Sequence, residues 1–490
     1  MVPRYFLSTL AWLKMLGVAA GNRLLPPADS FEGQGDLPSF SLKLGNDTAS
    51  VCNSTTPGTA GFIKSDDGTD SEMFFWLYES KNDPSTDPVI LWMSGGPGAS
   101  STAYGGLMEL GPCRIAHEGG YTVDNPFGWN TNASVIFVDQ PVSVGFSRGN
   151  AIPDGLVDAS HLMHRFLRQF FTAFPQLSHQ DFYISGESYG GSWVPALGAI
   201  IAKSQAEGDK SGYSVNQQSK PSQNQLSEPA GAVKINLKGV MVGNGLIRRS
   251  VQNGGGFETA CSGPDSLFNS STCRKWAPRA MWCEQNLGVC ETEGWTSDVC
   301  RKTEKLCSEM GQYVTGTLRR NPNDFRLPCE NELECYAEMP LIDEYFNRTD
   351  VKTALGVEPN APFRGVSLEV FNRWQENGDL WKSSDSYVNY LLNANYRVLI
   401  YVGDKDWYCN AAAGMRRLVD QGLVWHGHPF FRFRELIPWY TGLKPAGRWK
   451  AYGPLTYAEI VDAGHLAPFD KPEETLTLIN SWIQGSLPSH

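Results

Sequence analysis

Residues 181–193 have the sequence DFYISGESYGGSW, in which an apolar run ends abruptly in a serine between two glycines. A Gly-X-Ser-X-Gly motif directly after a strand and before a helix is typical of a nucleophile elbow, a turn so tight that the serine is exposed at the strand end. Gly186 and Gly190 would relieve the crowding, and Ser188 would be the nucleophile. Because the same pentapeptide also occurs in ordinary Gly/Ser turns, this interpretation depends on the rest of the chain.

Short apolar runs alternate with helical patterns on both sides of this stretch. Strands are predicted at about 60–63, 73–78, 89–95, 134–141, 182–184, 237–244, 397–404 and 457–465. Apolar residues recur at helical spacing over 155–175, and further helices are predicted at about 191–203 and 472–484. This alternation predicts an α/β protein with a mostly parallel central sheet and helices on both faces.

A serine hydroxyl becomes a useful nucleophile only when a base takes its proton and a third group orients that base. Four histidines follow Ser188, namely His426, His428, His465 and His490. His465 follows an apolar run and a glycine, as expected of a base carried by a loop. The acid is expected in 403-GDKDWYCN-410, which follows a predicted strand and offers Asp404 and Asp406. The resulting chain order of Ser, Asp and His is that of enzymes with a nucleophile elbow.

A glycine-rich loop, 94-SGGPGASS-101, directly follows the predicted strand at 89–95. Stabilising a developing oxyanion requires backbone N–H groups aimed at it, and glycines let the backbone approach a substrate closely. The loop is therefore a candidate oxyanion hole, with a plain strand-end turn as the alternative.

Composition excludes several other classes of protein. The chain has 490 residues, 41 basic and 52 acidic, for a formal net charge of −11. This balance argues against a nucleic-acid partner. No run of 18 uncharged apolar residues occurs, so no membrane span is predicted. No Cys-X-X-Cys pair occurs either, which weakens the hypothesis of a zinc site. Neither a metal nor a cofactor is expected, because the serine chemistry described above needs none.

Several features favour the secretory pathway, with an extracellular or vacuolar destination. Residues 1–20 are mostly apolar with small residues near the end, which predicts a signal peptide, although a buried N-terminal helix is the alternative. Eleven cysteines suit an oxidising compartment. Asn-X-Ser/Thr glycosylation sequons lie at Asn46, Asn53, Asn132, Asn269 and Asn347.

The pattern divides the rest of the chain into four parts. Residues 21–50 are a polar segment and a candidate pro-region. Residues 51–244 form the first part of the α/β core, and 346–490 the second. Between them, 245–345 hold eight of the eleven cysteines and are expected to form an inserted, disulfide-rich cap. Within the first part, the polar residues 204–232 are expected to form a surface loop.

Five blocks together resemble the serine carboxypeptidase family, and most closely its fungal secreted or vacuolar members. The blocks are 92-WMSGGPGASS-101, 139-DQPVSVGFS-147, 186-GESYGG-191, 403-GDKDWYCN-410 and 463-AGHLAP-468. The resemblance implies an α/β-hydrolase fold with an inserted cap. It makes Ser188 the nucleophile, His465 the general base and Asp406 the orienting acid, with the N–H groups of Gly96 and Tyr189 in the oxyanion hole.

The resemblance also implies how a free C-terminal carboxylate is recognised. It assigns this role to Glu187 and Glu109, together with position 94. Because a carboxylic acid can donate a hydrogen bond to a carboxylate only while protonated, this arrangement predicts activity that favours acidic pH. Position 94 is Ser94 here, whereas the family has Asn, and a shorter serine side chain makes this contact less direct.

The cysteine pairing comes from the same resemblance. It implies the disulfides Cys52–Cys113, Cys261–Cys273, Cys283–Cys307, Cys290–Cys300 and Cys329–Cys335. Cys409 is left unpaired and is interpreted as a buried structural thiol.

The leading hypothesis is therefore a serine-type carboxypeptidase that removes C-terminal amino acids from peptides or proteins. The first alternative is an acyltransferase or esterase of the same fold, because both would form an acyl-enzyme on Ser188. The second is a non-catalytic protein on a hydrolase scaffold, since fold alone does not fix function. The sequence predicts no oligomeric state.

Overall fold

The computed structural model describes residues 39–56, 58–65, 68, 70–211, 233–262, 266–329, 335–409 and 411–486. The predicted signal peptide at 1–20 and most of the polar segment at 21–50 lie outside the described residues. So does most of the predicted surface loop at 204–232, although residues 204–211 are helical, which corrects that prediction at its start.

The helices and strands alternate along much of the chain. The strands are β1 (Phe40–Leu44), β2 (Gly58–Ser65), β3 (Glu72–Tyr78), β4 (Val89–Met93), β5 (Cys113–Ile115), β6 (Thr122–Asp124), β7 (Ser134–Val138), β8 (Phe182–Glu187), β9 (Leu237–Gly243), β10 (Arg397–Gly403), β11 (Ile437–Thr441), β12 (Lys444–Tyr452) and β13 (Leu455–Ile460). The α-helices are α1 (Leu156–Ala173), α2 (Gly190–Ser211), α3 (Arg249–Cys261), α4 (Ser270–Glu293), α5 (Asp298–Gln312), α6 (Glu338–Asn347), α7 (Thr349–Ala354), α8 (Leu368–Glu376), α9 (Asp385–Asn393), α10 (Ala411–Arg417), α11 (His428–Phe431), α12 (Ala467–Asp470) and α13 (Pro472–Ile483). A π-helix, Ser101–Glu109, follows β4.

Eleven of these strands form one sheet in the order β1-β2-β3-β7-β4-β8-β9-β10-β13-β12-β11. The central strands from β7 to β13 pair in parallel, while the strands at both edges pair antiparallel. The carboxyl ends of β8, β9 and β10 therefore meet at one edge of the sheet. Such an edge is where ligand sites form in parallel α/β sheets.

The sheet has a hydrophobic core on each face. Alternate residues of β4 point to opposite sides, so that Leu91 packs into one cluster and Trp92 into the other. Helices α1, α2 and α9 cover the first face, and α6 and α13 cover the second. Because the central strands are buried on both faces, they are nearly continuous apolar runs, which made them predictable from sequence.

Helices α3, α4 and α5 form a separate layer with two small apolar clusters of their own. In contrast, Ile342, Tyr345 and Phe346 of α6 pack into the main core. We infer that the inserted cap covers this three-helix layer and ends before α6, a few residues short of the boundary expected at 345.

Five disulfides are present in the described residues, and they join the same pairs that the resemblance implies. They are Cys52–Cys113, Cys261–Cys273, Cys283–Cys307, Cys290–Cys300 and Cys329–Cys335. Cys261–Cys273 links α3 to α4, and Cys283–Cys307 and Cys290–Cys300 link α4 to α5. These three disulfides lie in the layer whose apolar clusters are small. None of the described helices is long and apolar enough to cross a membrane.

Candidate active site

Ser188 lies in the sharp turn between β8 and α2. Its φ angle is +59°, in the left-handed region that residues other than glycine rarely adopt. The turn is held from both sides, because the Ser188 N–H donates to the Gly243 carbonyl at 3.2 Å and the Leu246 N–H donates to the Ser188 carbonyl at 2.8 Å. Such strain persists only where surrounding contacts fix it, and it is frequent at active sites.

The glycines around the elbow have different roles. A Cβ on Gly186 would collide with the Met93 carbonyl, and one on Gly191 would lie 2.6 Å from the Leu246 nitrogen. A Cβ on Gly190 would make only an ordinary contact at 3.4 Å. The expectation that Gly190 relieves the crowding is therefore wrong, and Gly191 has that role.

His465 and Asp406 are hydrogen-bonded side by side, both buried. The His465 Nδ1 atom lies 2.9 Å from Asp406 Oδ2. The same carboxylate oxygen accepts a hydrogen bond from Asn244 Nδ2 at 2.9 Å, and Asp406 Oδ1 accepts the Cys409 N–H at 3.2 Å. With Nδ1 facing Asp406, the other ring nitrogen of His465 is the one available to a nucleophile.

Asn244 is a site residue that the sequence analysis missed. It directly follows β9 and has a positive φ of +43°. Besides Asp406, its side chain binds the Gly464 carbonyl at 3.2 Å and the Gly403 N–H at 3.2 Å. One amide thus links the ends of two strands to the loop that carries His465. The only sequence signal was an Asn between glycines at a strand end.

Asp404, the alternative acid, does not reach His465. Its carboxylate accepts the Asp462 N–H at 2.7 Å and pairs with Lys405 at 3.2 Å. Of the other histidines considered, His428 Nε2 lies 3.0 Å from the Asp420 carbonyl oxygen. The structure thus brings Asp406 and His465 together and leaves Asp404 apart.

Cys409 lies inside this site rather than in a remote core. The Ser188 side chain is near enough to the thiol to lower its pKa, and Asp406, Cys409 and His465 have ligand atoms within 4.8 Å of one another. Burial raises the pKa of the thiol well above its usual value, and the Asp406 charge adds to this. The thiol therefore stays protonated. Among the described residues, these three side chains are close enough together to bind a metal ion, but His465 and Asp406 are already hydrogen-bonded to each other.

The loop 94–101 packs directly against the elbow. A Cβ on Gly95 would lie 2.5 Å from Ser188 Cβ and 2.7 Å from the Tyr189 nitrogen. Within the described residues, the N–H groups of Gly96 and Tyr189 donate to no backbone carbonyl. Two unpaired N–H groups beside the nucleophile are the geometry that an oxyanion hole requires.

A buried aspartate from the block at 139–147 fixes the far end of this loop. Asp139 accepts hydrogen bonds from the Ser100 hydroxyl at 2.7 Å, from the Thr102 N–H at 3.1 Å and from the Phe146 N–H at 3.1 Å. Burial raises the pKa of Asp139, and these donors oppose that rise. The conspicuous Asp-Gln-Pro block thus positions the loop instead of contacting the nucleophile.

Glu187 and Glu109 form a buried acid pair directly beside Ser188. Each carboxyl group shifts the pKa of the other, and within the described residues no hydrogen-bond partner reaches Glu187 Oε2 or either Glu109 carboxyl oxygen. Burial raises the pKa of Glu109 to about 8, and burial together with the Glu109 charge raises that of Glu187 well above its usual value. The pair therefore holds a proton at neutral pH.

Charged neighbours modulate this pair without reversing the effect of burial. Arg114 lowers the pKa of Glu109, while Asp470 raises it. Asp470 also accepts the Gly464 N–H at 2.6 Å, next to His465, and burial raises its own pKa to about 6. The Asp470 carboxylate thus acts on both glutamates of the acid pair and also binds the loop that carries His465.

Ser94 is buried at the end of β4. Its hydroxyl oxygen accepts the Trp92 indole N–H at 3.1 Å, and its own N–H donates to Ser101 at 3.1 Å. Within the described residues no acceptor is found for the Ser94 hydroxyl proton, so this proton is available for donation.

The predicted glycosylation sites differ in their surroundings. Asn46, Asn53, Asn269 and Asn347 are exposed, and Asn132 is half-buried. The Asn347 side-chain nitrogen donates to two backbone carbonyls, of Asp343 and Phe363, at 2.9 Å each. Glycosylation at all five stays a prediction.

The sheet, the elbow serine and the adjacent Asp–His pair define the class of the protein as an α/β-hydrolase. A family model described as serine carboxypeptidase matches residues 52–485. The chain therefore belongs to the serine carboxypeptidase family, and it is a serine-type carboxypeptidase.

Curated relatives are similar along most of this chain. Carboxypeptidase Y of Schizosaccharomyces pombe is 37% identical over 435 residues, which cover 87% of this chain but 41% of that protein. Carboxypeptidase Y of Komagataella phaffii is 32% identical, covering 93% and 81%. The vacuolar serine-type carboxypeptidase ATG42 of Saccharomyces cerevisiae is 35% identical, covering 86% and 78%.

A solved structure confirms the fold prediction. Kex1(delta)p, a prohormone-processing carboxypeptidase from Saccharomyces cerevisiae, matches with a TM-score of 0.70 at 20% identity, over 90% of this chain and 94% of that one. The comparisons do not favour the acyltransferase or esterase alternative.

Proposed function

We propose that this protein removes single residues from the C-termini of peptides by acyl transfer to Ser188. The observation that carries the proposal is the buried, protonated Glu187–Glu109 pair next to the elbow serine. An endopeptidase or esterase has no need of a protonated acid pair beside its nucleophile. A carboxypeptidase needs one, because its substrate always presents a carboxylate at that point.

In the proposed reaction, Ser188 Oγ attacks the carbonyl carbon of the last peptide bond. Its proton passes to the free ring nitrogen of His465, whose orientation Asp406 fixes through the 2.9 Å hydrogen bond. The Gly96 and Tyr189 N–H groups bind the oxyanion. The carbon–nitrogen bond then breaks and His465 returns the proton to the departing amine. Water subsequently attacks the acyl-enzyme by the same route and regenerates Ser188.

The substrate carboxylate is held by two uncharged hydroxyl donors. The acid pair supplies a hydroxyl donor from Glu187, and the Ser94 hydroxyl supplies another. Charge-assisted hydrogen bonds of this kind are stronger than neutral ones. Replacing the carboxylate with an uncharged group therefore removes binding energy selectively.

We expect an N-blocked dipeptide with a free carboxylate to be cleaved with about 10- to 100-fold higher kcat/KM than its C-terminal amide, because each lost charge-assisted hydrogen bond costs roughly 1.5–3 kcal/mol. The measurement is the rate of release of the last residue at pH 5. Equal rates for acid and amide would refute exopeptidase recognition. Faster transfer to an added alcohol than to water would support the acyltransferase alternative.

The pH dependence should follow the acid pair. Because the pKa of Glu109 is raised to about 8, the pair loses its first proton as the pH rises through that value and becomes negatively charged. The kcat/KM for free-acid substrates should therefore fall as pH rises through about 8, owing to repulsion between two carboxylates.

The variant Glu187→Gln tests whether ionisation of the acid pair causes the fall in kcat/KM at alkaline pH. Its amide is a donor at every pH, so the alkaline fall should become shallower, while the profile for an amide substrate should hardly change. An alkaline optimum on free-acid peptides that is the same in Glu187→Gln would contradict the assignment.

The protein is one of the secretory pathway, because its five disulfides form and persist in oxidising compartments. The relatives include a vacuolar carboxypeptidase. We propose a vacuolar or extracellular destination, with acidic surroundings that suit the protonated acid pair.

A further inference from the structure

The candidate oxyanion loop is paired with a segment from a distant part of the chain. Residues 363–367, the support segment, lie between α7 and α8. Val366 forms an antiparallel bridge with Ala99, and the Ser100 N–H donates to the Gly365 carbonyl at 2.8 Å. Because both loop residues come just after the proposed oxyanion donor, the support segment fixes the course of the loop at that point.

The loop thus contacts both the support segment and the elbow. A Cβ on Gly98, whose φ is +103°, would lie 2.7 Å from the Ser367 carbonyl oxygen, and the Ser367 N–H donates to the Gly98 carbonyl at 2.8 Å. A Cβ on Gly95 would lie 2.5 Å from Ser188 Cβ. Gly96 lies between these two contacts in the chain, so the position of its N–H relative to Ser188 depends on both.

Two polar side chains of α6 bind the backbone of the support segment. Asp343 accepts the Gly365 N–H with both carboxylate oxygens, at 3.1 Å each. Asn347 accepts the Phe363 N–H at 3.0 Å and donates to the Phe363 carbonyl at 2.9 Å. Residues at positions i and i+4 lie on the same face of a helix, so α6 presents both groups to the support segment.

The α6 helix is a firm base for these contacts, because it packs into the main core. The ring of Phe363 lies 4.7 Å from that of Phe346 on α6 and 4.6 Å from that of Phe146, measured between ring centres. A Cβ on Gly365 would lie 2.5 Å from Asp343 Oδ1, so the support segment approaches the helix closely. A site is held precisely when the residues around it are themselves fixed by packing and hydrogen bonds.

We propose that Asp343 and Asn347 are positioning residues for the oxyanion hole. They hold the support segment on α6, and the support segment holds the loop that carries the Gly96 N–H. An oxyanion donor is effective only at hydrogen-bond distance from the oxygen in the transition state. A displacement of about 1 Å, caused far from the reacting atoms, costs up to about 100-fold in rate. The inference rests on the proposed carboxypeptidase function, whose rate these residues would set.

Asp343→Ala should lower kcat for an N-blocked dipeptide with a free carboxylate by about 10- to 100-fold at pH 5. KM and the affinity for a product peptide should hardly change, because the acid pair that binds the carboxylate is untouched. The loss falls on kcat because the oxyanion exists only in the transition state. Asp343→Asn keeps an acceptor oxygen for the Gly365 N–H and should recover most of kcat.

Asn347→Ala should lower kcat in the same way, because it removes the hydrogen bonds to both backbone groups of Phe363. Asn347 also begins a glycosylation sequon, whose third residue is Thr349. Thr349→Ala removes this sequon but leaves the Asn347 side chain in place, so kcat should stay as in the wild type. Equal losses in the two variants would assign the effect to a glycan and overturn the role of the Asn347 side chain.

Ile342→Val is the control for stability. Ile342 precedes Asp343 on α6 and is fully buried in the main core, so its truncation should lower Tm without touching the support segment. Its kcat should remain that of the wild type. If Ile342→Val lost as much kcat as Asp343→Ala at a similar loss of Tm, α6 would serve stability alone and the positioning role would be overturned.

The rate at which a phosphonate labels Ser188 separates this inference from the proposed function. Labelling uses the activated serine and the same oxyanion hole, and it should fall in parallel with kcat in Asp343→Ala and Asn347→Ala. Cleavage of no free-acid dipeptide by the wild type would refute the carboxypeptidase assignment, while the labelling rates would still test the two residues. Unchanged kcat and labelling rates in both folded variants would overturn the positioning role alone.

Discussion

Ser188→Ala should lower kcat/KM for peptide cleavage by about 10⁵- to 10⁶-fold, the scale on which loss of a triad nucleophile reduces turnover in other serine hydrolases. The variant retains the oxyanion loop, the acid pair and the base. It should therefore still bind the peptide, and only the covalent step is lost. The measurement combines the rate of residue release with the affinity for a non-cleaved product peptide.

Folding should change little in this variant, because Ser188 is held mainly by backbone hydrogen bonds to Gly243 and Leu246. Alanine at the same φ of +59° carries a similar backbone strain. A matched control is Ser178→Ala, whose hydroxyl precedes β8 and, among the described residues, donates a hydrogen bond to the Pro175 carbonyl. If Ser188→Ala retains more than about one hundredth of the activity and contaminating wild type is excluded, another residue must be the nucleophile.

The parts of the site that local sequence decides were predictable. The elbow, the glycine-rich loop and His465 each follow an apolar strand at the same sheet edge, and a strand followed by glycine is visible without any tertiary information. The choice between Asp404 and Asp406 was different. It came from the resemblance, since two aspartates two residues apart differ only in what their side chains meet in three dimensions.

Asn244 could not be assigned from sequence for the same reason. Its role exists only because the ends of β9 and β10 and the loop before His465 converge on one amide. Cys409 is a similar case. As a lone cysteine it suggested a buried structural thiol, and the folded chain places it against Ser188.

The sequence patterns also failed to predict the β11–β12 hairpin and the helices of the cap. The β11–β12 hairpin contains two prolines, which strands usually avoid. Pro438 lies in the edge strand β11, and Pro445 lies before Gly447, where the pairing of β12 with β13 begins. Helix α3 contains three consecutive glycines, poor helix formers, and a Cβ on Gly255 would collide with Gly414. In both places tertiary packing overrides local preference.

Asp406→Asn should lower kcat by about 10⁴-fold while the protein remains folded, as when the orienting aspartate of a triad is changed to its amide. Three donors converge on the Asp406 carboxylate, from His465, Asn244 and Cys409. An amide has a single acceptor oxygen, so its NH₂ group must face one of them. Facing His465, it would impose the wrong tautomer on the base.

Asp404→Asn is the matched control for this prediction. Asp404 lies two residues away and contacts the Asp462 N–H and Lys405 but not His465, so its loss of charge should change kcat far less. The rate at which a phosphonate labels Ser188 should likewise fall far more in Asp406→Asn than in Asp404→Asn, because labelling also depends on an activated serine. If Asp404→Asn were the severe variant and Asp406→Asn the mild one, the orienting role would belong to Asp404. The 2.9 Å contact between His465 and Asp406 argues for the opposite result.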